Sequence, residues 1–175
     1  MVKTSLKHLL LLLSFNVWLS GPTIATETSE VHVHQLKTAY LYHFAELTDW
    51  PASSAVTICL RGESQLKHYL PVLEGQQIGD KAVHVKLIGA TVPNPSHCHI
   101  LFSSENSDPP EFLKLQARTE HMLLVGDAKD FARNGGMVQF VLRDDKLKLI
   151  VNLAAVKDAG LKLSSKLLRM AEILE

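Results

Sequence analysis

"HMLLVGD", residues 121–127, is apolar from Met122 to Val125 and closes on a glycine and an acid. An apolar run without alternation is buried on both faces, the condition of a strand inside a parallel sheet. Parallel strands need crossovers, and a helical segment stands just upstream. "SDPPEFLKLQART", residues 107–119, predicts a helix with Asp108 as N-cap and a proline at its first position.

The same alternation of strands and helices extends outward in both directions. "AVTICLRG" (55–62) reads as a strand with Val56, Ile58 and Leu60 on one face and Cys59 on the other. "KAVHVKLIG" (81–89) alternates, with Val83, Val85 and Leu87 on one face of a half-buried strand, and "HCHILFSS" (97–104) is short and mostly apolar. Between the first two lies "ESQLKHYLPVLEG" (63–75), a short helix interrupted by Pro71. Downstream, "AKDFARNGG" (128–136) predicts one or two helical turns closed by Gly135-Gly136. "MVQFVL" (137–142) and "LKLIVNL" (147–153), joined by a polar turn, read as a hairpin. "SSKLLRMAEILE" (164–175) reads as a closing amphipathic helix, capped by Ser164 and stapled by Leu163 on Leu168. At the other end, "EVHVHQLKTAYLYHFAELTDWP" (30–51) predicts a helix with Leu36, Tyr40, Phe44 and Leu47 on one face, stopped by Pro51. The expected architecture is a single three-layer α/β domain: a mixed sheet of about six strands flanked by helices, with a C-terminal hairpin and helix.

The first residues place the chain in a compartment. Lys3 and Lys7 precede an apolar run of about 11 to 12 residues, broken by Gly21-Pro22, and Thr23-Ile24-Ala25 offers a small-residue cleavage site. Residues 1–25 therefore read as a secretory signal peptide, with residues 26–175 as the mature domain. The apolar run is short of the roughly 20 residues that span a bilayer. Cleavage removes two lysines and no acid, leaving a net charge of −2. That balance argues against nucleic acid and against a polybasic membrane surface.

Outside the cytoplasm two cysteines usually pair, and Cys59 and Cys98 are the only two. A bridge closing about 40 residues would stabilise the fold by roughly 4 kcal/mol on the chain-entropy view. A free thiol pair and a Cys/His metal site are the alternatives. His97 and His99, two apart on a predicted strand, would share a face while Cys98 points away, which works against three-ligand binding. His32 and His34 fall near the mature N-terminus and read as solvated or partly buried. His43 falls on the apolar helix face, as a core or interface histidine. No metal or cofactor site is expected.

Catalytic signatures are missing: G-x-S-x-G, G-x-G-x-x-G, the P-loop and H-E-x-x-H do not occur. Gly135-Gly136 leads into a strand, so no helix N-terminus follows to hold an anion. Two candidate sites remain. Strand carboxyl ends in parallel sheets build ligand crevices, and here they offer Arg61, Glu63, Ser103, Ser104 and Asp127, the last also a candidate N-cap. The second is the first helix, where Tyr40, Leu41, Tyr42 and Phe44 make most of the circumference apolar, more than one buried face needs.

Several of these blocks resemble the YfiR family. "KTAYLYHFAELTDWP" (37–51), "CLRG" (59–62), "CHILFSS" (98–104), "LLVGD" (123–127), "GGMVQF" (135–140), Asn152 and "AGLKLSSKLLRMA" (159–171) carry the likeness, in order, over nearly the whole mature chain. The resemblance implies a small periplasmic protein with an α/β sandwich fold, dimeric, without catalytic residues. It implies a repressor that binds the periplasmic portion of an inner-membrane diguanylate cyclase and so lowers cyclic di-GMP and biofilm formation. It also implies an outer-membrane lipoprotein that sequesters the repressor. The family's cysteine pair falls on Cys59 and Cys98. A second pair, carried by some members in the C-terminal third, has no counterpart here.

The expectation is thus a non-enzymatic regulator, a homodimer that does not insert in the membrane. Its partner surface is expected at the exposed members of Tyr40, Leu41, Tyr42 and Phe44, and around Leu168 and Arg169. A periplasmic protein that binds a small ligand or a metal is the alternative.

Overall fold

A computed structural model describes residues 24–51, 53–90, 96–104 and 109–174. Most of the expected signal peptide, and the expected N-cap Asp108, lie outside these residues.

Helix α1 spans Ile24–Leu47. Its buried side chains, Lys37, Thr38, Leu41, Phe44 and Ala45, recur at helical spacing, and Tyr40, Tyr42 and Leu47 pack at their margins. The indole N–H of buried Trp50 donates to the Ala45 carbonyl at 2.8 Å, satisfying one of the orphan acceptors of the last turn. Strand β1 (Thr48–Asp49) follows, then β2 (Ala55–Arg61). Two 3₁₀ turns, Gln65–His68 and Leu70–Leu73, lead to the short β3 (Gln77–Ile78) and to β4 (Lys81–Ile88). Next come β5 (Ile100–Ser103), α2 (Glu111–Thr119) and β6 (Leu123–Gly126). The hairpin β7 (Val138–Arg143) and β8 (Lys146–Asn152) precedes α3 (Leu153–Asp158), β9 (Lys162–Leu163), α4 (Ser165–Leu168) and β10 (Ala171–Leu174).

Eight strands form one mixed sheet in the order β10-β8-β7-β6-β5-β2-β4-β3, and β1 pairs with β9 in a second, two-stranded one. The central strands β2, β5 and β6 run parallel and are buried on both faces. This agrees with the unbroken apolar run at 122–125. Register assigns the faces. Leu60, Phe102 and Val125 lie side by side and Phe102 meets Phe140, which in turn meets Phe44 and Tyr40 of α1. The alternate set, with Cys59, Arg61, Leu101 and Ser103, faces the side where Arg61 packs on Phe112 of α2. The fold is therefore mixed α/β, with helices on both faces of the sheet.

Several local expectations are corrected. The segment after Ser164 is one helical turn followed by a strand, not a continuous helix. Ser164 caps that turn through Leu167 N–H as expected, but Ala171–Leu174 then gains a full parallel ladder on β8. Four residues at the open edge of β8 satisfy more backbone groups in a ladder than as a frayed last turn. The sheet is wider than six strands for the same reason, and because β3 adds at the other edge. Residues 128–136 form turns, not helix: the buried Gln139 amide holds them by donating to Ala128 O and accepting from Ala132 N. The segment 65–73 breaks into two 3₁₀ turns at Tyr69, where Pro71 offers no N–H. Pro110 occupies the N-cap of α2, so helical geometry begins at Glu111. Helix α3 was not expected. Asn152 starts it, accepting from Ala155 N at 3.0 Å.

Candidate functional site

The strand-end residues are bound up in the fold. Arg61 is 5% exposed, lies against the Phe112 ring at 5.6 Å and donates to the Ala90 carbonyl. Ser103 is buried. The Ser104 hydroxyl donates to the carbonyls of Arg61 (3.1 Å) and Glu63 (2.8 Å), closing the ends of β2 and β5 together. Glu63 pairs with Lys67 one turn on, whose hydrogen bond holds the carboxyl below its ordinary pKa. Asp127 caps no helix. It reaches instead to the opposite element, where Lys37 of α1 meets it at 2.6 Å. These five residues thus do not converge on one another as a ligand site. Their polar groups tie strand ends to neighbouring elements.

The glycines at 126 and 136 are explained by one residue, Phe131, through its ring at both and also through its carbonyl oxygen at Gly136. A Cβ at Gly126 would come within 2.5 Å of Phe131, and one at Gly136 within 2.2 Å. Phe131 is buried between them, so the Gly-Asp and Gly-Gly blocks are packing features. Asn152 completes the loop by donating to Ala132 O at 2.9 Å.

Cys59 and Cys98 are bonded, with both residues buried. The histidines beside Cys98 do not share a strand face, contrary to expectation. Strand β5 begins only at Ile100, and His97 sits in a turn with φ of 64°. His99 is turned inward: its Nδ1 accepts the Thr57 N–H at 3.0 Å, and its ring meets the Trp50 indole edge-on. Burial, reinforced by Lys81 and Lys86, lowers its pKa below the ordinary imidazole value. His34 stacks on Tyr69, and burial likewise lowers its pKa. His32 is exposed. Among the described residues no group of three or more His, Cys, Asp or Glu side chains is placed to hold a metal.

The first helix divides cleanly. Leu41 and Phe44 are 0% exposed and belong to the core, so they are closed to any partner. Tyr40 and Tyr42 are half-buried. Tyr42 is tethered, its hydroxyl donating to Gln77 O at 2.8 Å. Tyr40 lines an open groove of about 260 Å³ with Leu36, Ala39, His43 and Leu47 of α1 and Lys166 and Met170 from the C-terminal segment. His43 is exposed here and pairs with Glu46 at 3.2 Å, so it is a rim residue and not a core one. Leu168 packs partly on the core, and Arg169 is exposed, its guanidinium toward the Ser165 hydroxyl at 3.4 Å. Lys166 and Met170 were not singled out from sequence. Lys166 comes from α4 and Met170 from the turn between α4 and β10.

The sequence model of one protein family, described as YfiR/HmsC-like, matches residues 34–172. The chain belongs to the YfiR/HmsC-like family. The match runs from within α1 into β10, and so takes in the groove, the disulfide and the Phe131 loop. No curated protein matches the chain. Membership in the YfiR/HmsC-like family supports a regulatory, non-catalytic role in the periplasm at the level of the family. The disulfide is consistent with an oxidising compartment. Among the described residues no helix is long and apolar enough to cross a membrane.

Proposed function

We propose that this protein is a periplasmic regulator, exported by a cleaved signal peptide over residues 1–25, that acts by occupancy and not by chemistry. It binds the periplasmic portion of an inner-membrane diguanylate cyclase and holds it inactive, lowering cyclic di-GMP and biofilm formation. An outer-membrane lipoprotein that takes up the repressor would relieve the block, and the repressor acts as a homodimer. The observation that carries this reading is the family match across residues 34–172. The groove between α1 and the α4–β10 turn is the surface it favours, because its apolar lining lies open while the strand-end residues are held by internal contacts.

The mechanism is differential affinity. A repressor that prefers one conformation of the cyclase shifts its population toward that state. Reversal from 1:99 to 99:1 takes about 5.5 kcal/mol of preference. Deletion of the gene, with cyclic di-GMP measured in the cells, tests the role: the level should rise, and reintroduced wild-type protein should lower it. Ala39→Glu and Met170→Glu should fail to lower it while keeping the wild-type melting temperature. An unchanged level after deletion would overturn the reading.

A further inference from the structure

Strand β4 is paired with β2 along its length, but among the described residues its outer edge is covered by backbone only at the start. Short β3 pairs antiparallel with Lys81 and Ala82. Gly75 and Gln76 then exchange backbone hydrogen bonds with Val83, at 2.9 and 2.8 Å. Beyond that the chain turns away into the 3₁₀ segment, and a side chain takes over. The Glu74 carboxylate accepts the Val85 N–H at 2.6 Å through one oxygen and meets His84 Nδ1 at 2.9 Å through the other. Ile88 O is bonded inward, to Gly62 N. Alternation therefore turns the backbone groups of Val83, Val85 and Leu87 outward. Val85 O and both backbone groups of Leu87 have no partner among the described residues. The Leu87 side chain is 57% exposed beside them.

We propose that the outer edge of β4, from Val85 to Leu87, receives an extended segment of a partner protein as an added antiparallel strand. The hydrogen-bonding pattern selects the occupant. Alternating outward N–H and C=O groups are matched by an extended backbone, and an edge left in this state is a template for one. Glu74 already shows the complementarity, since its oxygen holds the place on Val85 N–H that a strand carbonyl would take. The incoming segment continues the line of β3 and displaces that carboxylate. A cleft of about 350 Å³ lies at the end of the edge, lined by Leu60, Leu87, Ile88 and the glycines and alanine beside them, with the Glu63–Lys67 pair also on its wall, and its apolar part accepts one side chain of the segment. Main-chain bonds supply affinity and the cleft supplies selectivity. This surface is separate from the α1 groove and does not rest on the regulator reading.

A displayed library of random twelve-residue peptides, panned against the folded full chain, provides the probe. The enriched peptides should alternate apolar and polar residues. A synthetic copy should shift the amide resonances of Val85 to Leu87. Leu87→Pro removes an outward N–H and no internal ladder bond, and should weaken binding at least tenfold. Glu74→Ala should tighten it several-fold, because no carboxylate has to leave, and this second variant decides the matter should the proline disturb the fold. Failure to enrich any peptide overturns the proposal, as does binding indifferent to both substitutions. A wild-type dimer converted to monomer by Leu87→Pro also overturns it, since a second copy then covers the edge.

Discussion

His99 accepts the backbone N–H of Thr57 on Nδ1, at 3.0 Å, and so continues the β2–β5 ladder with a side chain. An acceptor at Nδ1 requires a neutral ring with its proton on Nε2. Burial and the nearby Lys81 and Lys86 favour the same state, lowering the pKa below 6.5. The unfolded chain then binds more protons than the folded one, so stability rises with pH across this window. It should be fully present above about pH 6.5 and fall away below it, until the folded ring itself protonates. His34, also lowered, adds in the same direction. Thermal melts from pH 7.5 down to 5 should show the decline. His99→Leu should flatten it while costing about 1–3 kcal/mol for the stranded Thr57 N–H. A His99→Leu variant with an unaltered pH profile would refute the assignment.

The Cys59–Cys98 bridge spans 39 residues. Cys59→Ser or Cys98→Ser should lower stability by roughly 2–5 kcal/mol. Denaturant melts with and without reductant provide the measurement, and reduction should reproduce the effect of the substitutions.

Phe131 and its two glycines form one packing unit. Gly126→Ala and Gly136→Ala should each destabilise by about 1–3 kcal/mol through overpacking. Combining either with Phe131→Leu should recover part of that loss. Additive losses in the double variant would show that the ring is not what excludes the methyl group.

Lys37 and Asp127 meet between α1 and the end of β6, with side chains 11% and 29% exposed. Lys37→Met should cost roughly 1–3 kcal/mol, less than breaking a fully buried pair. Lys37→Met combined with Asp127→Asn should cost less than the sum of the single changes, giving a coupling energy on the order of 1 kcal/mol. A double-mutant cycle by chemical denaturation measures it.

Much of the sheet was readable because its signals are local. Met122–Val125 announces a doubly buried strand, and the tight turn of the hairpin is met by Asp144 and Asp145, both at positive φ. Ser164 was recognised as a cap from its position alone. What escaped depends on neighbours distant in sequence. Ala171–Leu174 has a helix-compatible composition, and only the free edge of β8 makes it a strand. The turns at 128–136 are held by Gln139 and Asn152, which follow them in the chain. The same reason governs the candidate sites. Spacing placed Leu41 and Tyr40 on one apolar helix, but only the packing of β5 and β7 decides which is core and which lines a groove. Glu74 reads as the last acid of a short helix until β4 is laid beside it.

The disulfide has a topological consequence as well as an energetic one. Cys59 and Cys98 lie on β2 and just ahead of β5, strands that are already neighbours, so the chain between them closes into a covalent hoop. That hoop contains both 3₁₀ turns, β3 and β4 with its open edge. A protease that cuts it once severs the backbone and yet releases nothing, because both fragments remain joined through sulfur. Two cuts, or one cut and a reductant, are needed to detach the outer strands. The β3–β4 margin of the sheet is therefore a margin that can be nicked without being lost.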